Sequence, residues 1–151
     1  MRLTTFTDYT IRVLIYIGLH PGQRATISEL ADAYQISRNH LMKVVHHLGQ
    51  TGYIDTLRGK GGGFQLAQPP EQINIGKLVR RTEQHTTLVE CFSETDSHCR
   101  ISPTCRMKAI LNEALAAFYA VLDQYSLADL ISNGQQLTEL LTDQAIPHPL
   151  E

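Results

Sequence analysis

Residues 26–48 read Thr-Ile-Ser-Glu-Leu-Ala-Asp-Ala-Tyr-Gln-Ile-Ser-Arg-Asn-His-Leu-Met-Lys-Val-Val-His-His-Leu. Ile27, Leu30, Ala31 and Tyr34 recur at i, i+3, i+4 and i+7, the spacing of one apolar face on a short helix. Either Thr26 or Ser28 can cap that helix. Gln35-Ile36 makes a brief break, and Ser37 is a good N-cap for the next helix. This second helix runs from Arg38 to Leu48 and stops at Gly49 to Gly52. Leu41, Val44, Val45 and Leu48 face inward, so Arg38, Asn39, Met42, Lys43 and His46 face away. Two short helices across a tight turn, the second capped and polar on its outer face, make a helix-turn-helix.

Downstream, Tyr53–Leu57 and Phe64–Ala67 read as two strands joined by Arg58-Gly59-Lys60-Gly61-Gly62-Gly63. Those glycines fit neither G-x-x-x-x-G-K-[ST] nor a strand-to-helix G-x-G-x-x-G, which argues against a nucleotide loop. A glycine-rich hairpin with Arg58 and Lys60 at its tip reads instead as a wing, its bare backbone able to approach a phosphate or enter a minor groove. Helix-turn-helix plus hairpin is a winged helix. Upstream, a first helix over about Thr4 to His20 ends at Pro21-Gly22, with Phe6, Ile11, Leu14, Ile15 and Gly18 on its buried side. Asp8 falls in its first turn, where a carboxylate complements the helix dipole. Pro69-Pro70 closes the head and Ile75–Thr82 starts a linking helix. Arg80 and Arg81 there read as a solvated face, with phosphate contact as the alternative.

All three cysteines, Cys91, Cys99 and Cys105, lie within 15 positions, separated by seven and then five residues. Zinc sites and iron–sulfur clusters normally take four protein ligands, so three thiolates leave one place open. Beyond them, Ser102-Pro103 marks a helix start, an N-cap before a proline at the first helical position. Met107, Ile110, Leu111, Ala114, Leu115, Phe118, Val121, Leu122 and Tyr125 then run down one side for about five turns. The stripe reads as the core helix of a monomer or, since a chain this small has little else to cover it, as the favoured dimer interface between two-fold mates. Ser126 caps a last short helix through Leu130 that Gly134 ends. The resulting organisation is mainly α: a winged helix-turn-helix domain with a β-hairpin wing over 1–81, a linker and cysteine loop over 82–106, a long C-terminal dimerisation helix region over 103–131, and a tail over 132–151.

Charge adds a direction. Residues 1–81 carry 10 Lys/Arg against 5 Asp/Glu, residues 82–151 carry 3 against 10, and the chain totals −2. A basic first half suggests a polyanion-binding head, with double-stranded DNA as the partner. No run of about 18 apolar residues is present, which argues against a membrane span. An N-terminus without a signal peptide and an odd cysteine count point to the reducing cytoplasm, where clustered cysteines more often bind metal than pair.

The start Leu3-Thr4-Thr5-Phe6-Thr7-Asp8-Tyr9, the Ser37–Lys43 segment, the 58–63 wing and the three-cysteine loop together resemble the NsrR-type nitric-oxide-sensing repressors, a branch of the Rrf family of bacterial iron–sulfur winged-helix regulators. The likeness covers about residues 1–130. It implies a non-enzymatic, homodimeric DNA-binding repressor whose operator is palindromic and whose cysteines hold a four-iron four-sulfur cluster; a two-iron cluster is the alternative type. It further implies that the fourth ligand is a carboxylate from the other subunit, which maps to Asp8. The IscR-like branch uses a histidine three residues after the third cysteine, and that place is taken here by Lys108. Nitrosylation of the cluster would release the operator and derepress nitric-oxide detoxification genes. The seven-residue first spacing is longer than the group's and puts His98 within reach as an alternative ligand. Ser37, Arg38, Asn39, His40 and Lys43, with Arg58 and Lys60 of the wing, are the expected DNA contacts. Other readings of the same residues are a structural zinc site of the three cysteines with His98, direct thiol oxidation, and a cluster that answers to iron or redox status. No histidine or acid is placed for a cysteine-dependent enzyme.

Overall fold

The computed structural model describes residues 2–84, 87–93 and 98–142. Residues 143–151 of the expected tail lie outside them, as do four positions between Cys91 and Cys99. Helix α1 (Thr5–Leu19) is followed by α2 (Ile27–Tyr34) and α3 (Arg38–Gln50), then by strands β1 (Ile54–Leu57) and β2 (Gly63–Leu66). Helices α4 (Ile75–Thr82), α5 (Arg106–Leu122), α6 (Leu127–Leu130) and α7 (Gly134–Thr142) complete the described chain.

Local chemistry accounts for most of these boundaries. Thr26 and Glu29 form a reciprocal capping box that starts α2, which settles the cap on Thr26 rather than Ser28. Gln35 ends it in the left-handed conformation, φ 53°. The Ser37 hydroxyl accepts from His40 N and starts α3. That helix continues through Gly49 and Gln50, two residues beyond the expected stop, and turns at Gly52 with φ +76°. The hairpin pairs Ile54 with Leu66 and Leu57 with Gly63. Ala25, just before α2, adds a bridge to Phe64 through two 2.9 Å bonds, so the base of the hairpin is stitched to the helix-turn-helix.

Leu14, Leu30, Leu41, Val44, Leu48, Ile54, Phe64, Ile73, Leu78 and Leu127 make one buried core. Helix α1 runs through it, touched by α3, α4, α6 and β2. Its buried residues are Thr7, Thr10, Val13, Leu14 and Ile17. The expected inner face is therefore rotated: Phe6, Ile11 and Ile15 are only half-buried, because a helix covered from several directions buries the side away from solvent and not its most apolar arc.

Three further expectations are corrected. Ser102-Pro103 opens a short 3-10 turn over Ser102–Thr104, and α5 starts after it with Cys105 at its N-cap. Gly134 begins α7 instead of ending α6, its bare Cα fitting where a Cβ would stand 3.2 Å from Leu19 Cδ2. Arg80 does not simply face solvent: both guanidinium nitrogens bond Asp123 at 2.6 Å and the group lies 4.5 Å over the Tyr119 ring. The pair locks α4 to the end of α5 and holds the Asp123 carboxyl below its usual range. Gly76 permits this approach, since a Cβ there would stand 2.0 Å from Asp123 Oδ1. Backbone bonds Ile75 N to Tyr125 O and Leu127 N to Ile73 O close the same junction.

The C-terminal end of α5 packs on the core through Phe118, Tyr119 and Leu122. Its earlier turns do not: Met107 and Ile110 are 59% and 55% exposed, and no α5 residue is fully buried within the chain.

His47, on the inner side of α3, lies edge-on to Phe6 of α1 at 5.3 Å, and its Nε2 is buried without a hydrogen bond. Burial first, then the nearby charges of Arg81 and His46, push its pKa below 6.5. The folded state thus binds this proton less readily than the unfolded state, and stability contributed by neutral His47 is lost as pH falls below about 6.5. Denaturant unfolding at pH 7.5 and 5.5 should show a larger acid loss for the parent than for His47→Leu; equal losses would assign the pH dependence elsewhere.

Candidate functional site

Two sets of residues stand out, one on the head and one around the cysteines. On the head, Ser37, Arg38, Asn39 and Lys43 are exposed on the outer side of α3, as are Met42 and His46. Ser37 lies at the helix start, and Arg38 Nη2 donates to Ser28 Oγ at 2.9 Å, which braces one turn of the recognition helix against α2. His40 is also exposed but sits to one side, its ring 5.9 Å from that of Tyr9 on α1. Arg58 and Lys60 project from the hairpin turn, both exposed.

The wing's glycines are demanded by its geometry. Gly59 and Gly61 have φ +95° and +76°, and a Cβ on Gly62 would meet Leu57 O at 2.4 Å. Side chains with a Cβ are excluded from a turn this tight, so the two cations are held on a short, defined tip. The outer face of α3 and this tip stand where a winged helix has its second helix and its hairpin.

Around the cysteines, Cys91 sits in a 3-10 turn over Glu90–Phe92, Cys99 precedes the next turn by giving its carbonyl to Ser102 N at 3.1 Å, and Cys105 caps α5. All three thiols are unpaired and half-exposed. Among the described residues, no three His, Cys, Asp or Glu side chains converge on a single point as one metal ion requires. The His98 side chain is 89% exposed, with its Nδ1 3.8 Å from Glu90 Oε1 and its backbone N donating to the same oxygen at 2.6 Å. Lys108 Nζ donates to Ser102 Oγ at 3.1 Å, and Lys108 and Asn112 line one shallow depression with Cys91, Phe92 and Ser93.

Asp8 lies on α1, 48% exposed, where Arg12 one turn on holds both its oxygens at 2.9 and 3.1 Å. Arg12 in turn stands 6.0 Å from the Tyr34 ring centre at the end of α2. Burial pushes the Tyr34 hydroxyl up to about 12, so it stays neutral. The carboxylate is thereby half-exposed and tied through Arg12 to the end of α2. The i, i+4 spacing of Asp8 and Arg12 is a sequence signal for this pair; no spacing announces Tyr34 as the third member.

Comparison with known proteins places the chain. Residues 3–133 match the family described as "Rrf2: Iron-dependent Transcriptional regulator". The chain belongs to the Rrf2 family. The HTH-type transcriptional regulator NsrR of Bacillus subtilis is 51% identical over 142 residues, covering 93% of this chain and 97% of that one. The regulator of the same name from Shouchella clausii is 47% identical, covering 93% and 95%. Among solved structures, oxidized Staphylococcus aureus CymR superposes with TM-score 0.66 at 25% identity, covering 86% and 95%. T. potens IscR superposes with TM-score 0.71 at 19% identity, covering 98% and 94%, a likeness of fold. This Rrf2 chain is therefore a winged-helix, DNA-binding transcriptional regulator and not an enzyme. No helix among its described residues is long and apolar enough to cross a membrane.

A DNA face of this kind carries a salt signature. Lys43→Ala and Arg58→Ala should each weaken binding to duplex DNA, and each should lower the slope of log affinity against log salt by about 1. An unchanged slope would remove that residue from the phosphate contacts.

Proposed function

We propose that the protein is a cytoplasmic repressor that senses nitric oxide through an iron–sulfur cluster held by Cys91, Cys99 and Cys105, with Asp8 of the partner subunit as the fourth ligand. The observation that carries this reading is the cysteine site itself: three unpaired, half-exposed thiols on one loop, in a chain 51% identical to a regulator named NsrR. The donor set fits such a group, because soft thiolates suit iron–sulfur clusters and the three thiols leave one position for another donor. Asp8 is half-exposed, as a ligand offered to another protomer must be at least in part. His98 is the weaker candidate, since its backbone and ring are both turned to Glu90.

The exposed apolar turns of α5, with Met107 and Ile110, support homodimerisation, and a two-fold dimer presents two α3 helices to a palindromic operator. When bound, a four-iron four-sulfur cluster supplies iron that reacts with nitric oxide, most readily where a hard carboxylate is the ligand. Each residue then has a defined task. The cysteines anchor the loop at the start of α5. Asp8 ties the opposing α1 to that loop. Arg12, which competes for the Asp8 carboxylate, takes it back when the tie is lost, and the pair's contact with Tyr34 brings the change to the turn before α3. Operator binding by Ser37, Arg38, Asn39, His40, Lys43, Arg58 and Lys60 depends on the two heads keeping groove spacing, and repression ends when they do not.

Anaerobically purified protein should be a coloured dimer that binds its operator and loses affinity by at least about tenfold, a coupling of about 1.4 kcal/mol, when nitric oxide is added. A colourless, zinc-loaded dimer would overturn the cluster, and a coloured dimer indifferent to nitric oxide would overturn the signal. Asp8→Ala should keep the cysteine-bound iron but shorten its lifetime; an unchanged lifetime with a shortened one in His98→Ala would move the fourth ligand to His98.

A further inference from the structure

The second half of the chain is acidic, with 10 Asp/Glu against 3 Lys/Arg over residues 82–151. Its three cations are not spread along it. Arg100 follows Cys99, Arg106 follows Cys105, and Lys108 stands two residues further on, so all three fall within nine positions at the cysteines. Arg100 and Arg106 are exposed, whereas Lys108 is half-buried although its neighbours Met107 and Ala109 are exposed. Its chain is turned inward: Nζ donates to Ser102 Oγ at 3.1 Å, within the turn that joins Cys99 to Cys105, and the residue lines the depression that holds Cys91. One ammonium thus stands between the segments that carry the first cysteine and the last two. The acid nearest in sequence to Cys91, Glu90, is directed to His98 and not to this lysine.

We propose that Lys108 is the counter-cation of the cysteine site, a residue that ligates nothing but sets the reduction potential of the cluster bound there. The inference rests on the cluster reading of the proposed function. Three thiolates and a carboxylate bring negative charge into a half-exposed site, and one-electron reduction adds another. A cation beside the site favours the more negative, reduced form; charge and hydrogen bonding around the sulfurs are known determinants of cluster potential. An ammonium also has no lone pair with which to displace a ligand.

The test uses the full-length dimer with its cluster, titrated with dithionite. Lys108→Met should be reduced at lower potential than the parent, by about threefold to tenfold in the reduction equilibrium, the upper end being about 59 mV for a one-electron couple. Lys108→Arg should match the parent. Ser102→Ala removes the hydrogen bond but keeps the charge, and should leave the potential near the parent's. Parent-like values for Lys108→Met overturn the proposal, as does a shift in Ser102→Ala as large as that in Lys108→Met, which would make loop geometry the cause. Iron and sulfide content and the melting temperature of each apo dimer identify a misfolded variant, in which case Lys108→Gln supplies the same comparison. A parent without any cluster is recognised before the variants are made and counts against the proposed function, separately from this inference.

Discussion

A single buried carboxylate organises the junction on which the rest of the molecule depends. Glu83 is 7% exposed, immediately after α4, and its Oε1 accepts from Thr4 N and Thr4 Oγ1 at 2.8 Å each and from the Thr7 hydroxyl. Thr7 Oγ1 lies 2.8 Å from Thr82 Oγ1, so the end of α4 and the start of α1 share one polar network. A carboxylate taken out of water without partners would cost several kcal/mol. Here the donors include an N–H at the helix start that has no partner within the helix, and the dipole of α1 points its positive end at the charge. The consequence is positional: the helix that bears Asp8 begins at a point fixed by the segment that leads to Cys91.

The opposite end of α4 is fixed as firmly. Gly76 lets Asp123 approach, Arg80 chelates it, and Tyr119 covers the guanidinium. The winged head, the linking helix and the end of α5 are therefore packed as one unit.

Much of this is legible in the sequence where local chemistry decides. The apolar spacing over Ile27–Leu48 and the caps at Thr26 and Ser37 give the helix-turn-helix within two residues, and the 58–63 glycines give the hairpin. The failures share a cause. Periodicity misplaces the inner face of α1 because a helix packed on several sides buries Thr7 and Thr10 for their hydrogen bonds, and periodicity sees only apolarity. Ser102-Pro103 resembles a helix start because a 3-10 turn uses the same residues. The Arg80–Asp123 lock joins positions 43 apart, and the Glu83 network joins positions up to 79 apart, distances at which sequence spacing carries no signal. At the site, the cysteines and Asp8 are visible as residue types, but the roles of Arg12, Tyr34 and Lys108 depend on which faces meet.

Completion of each cysteine site by the other protomer is the claim on which the sensing mechanism turns. A heterodimer tests it directly, with one chain carrying Cys91→Ser, Cys99→Ser and Cys105→Ser and the other carrying Asp8→Ala, purified through two different tags. One site then combines intact cysteines with Asp8 of the partner subunit, and the other site has no cysteines. The expected result is one cluster per heterodimer with the lifetime of the parent. A cluster as labile as that of the Asp8→Ala homodimer would show that Asp8 serves its own chain, and the two-protomer tie would be wrong.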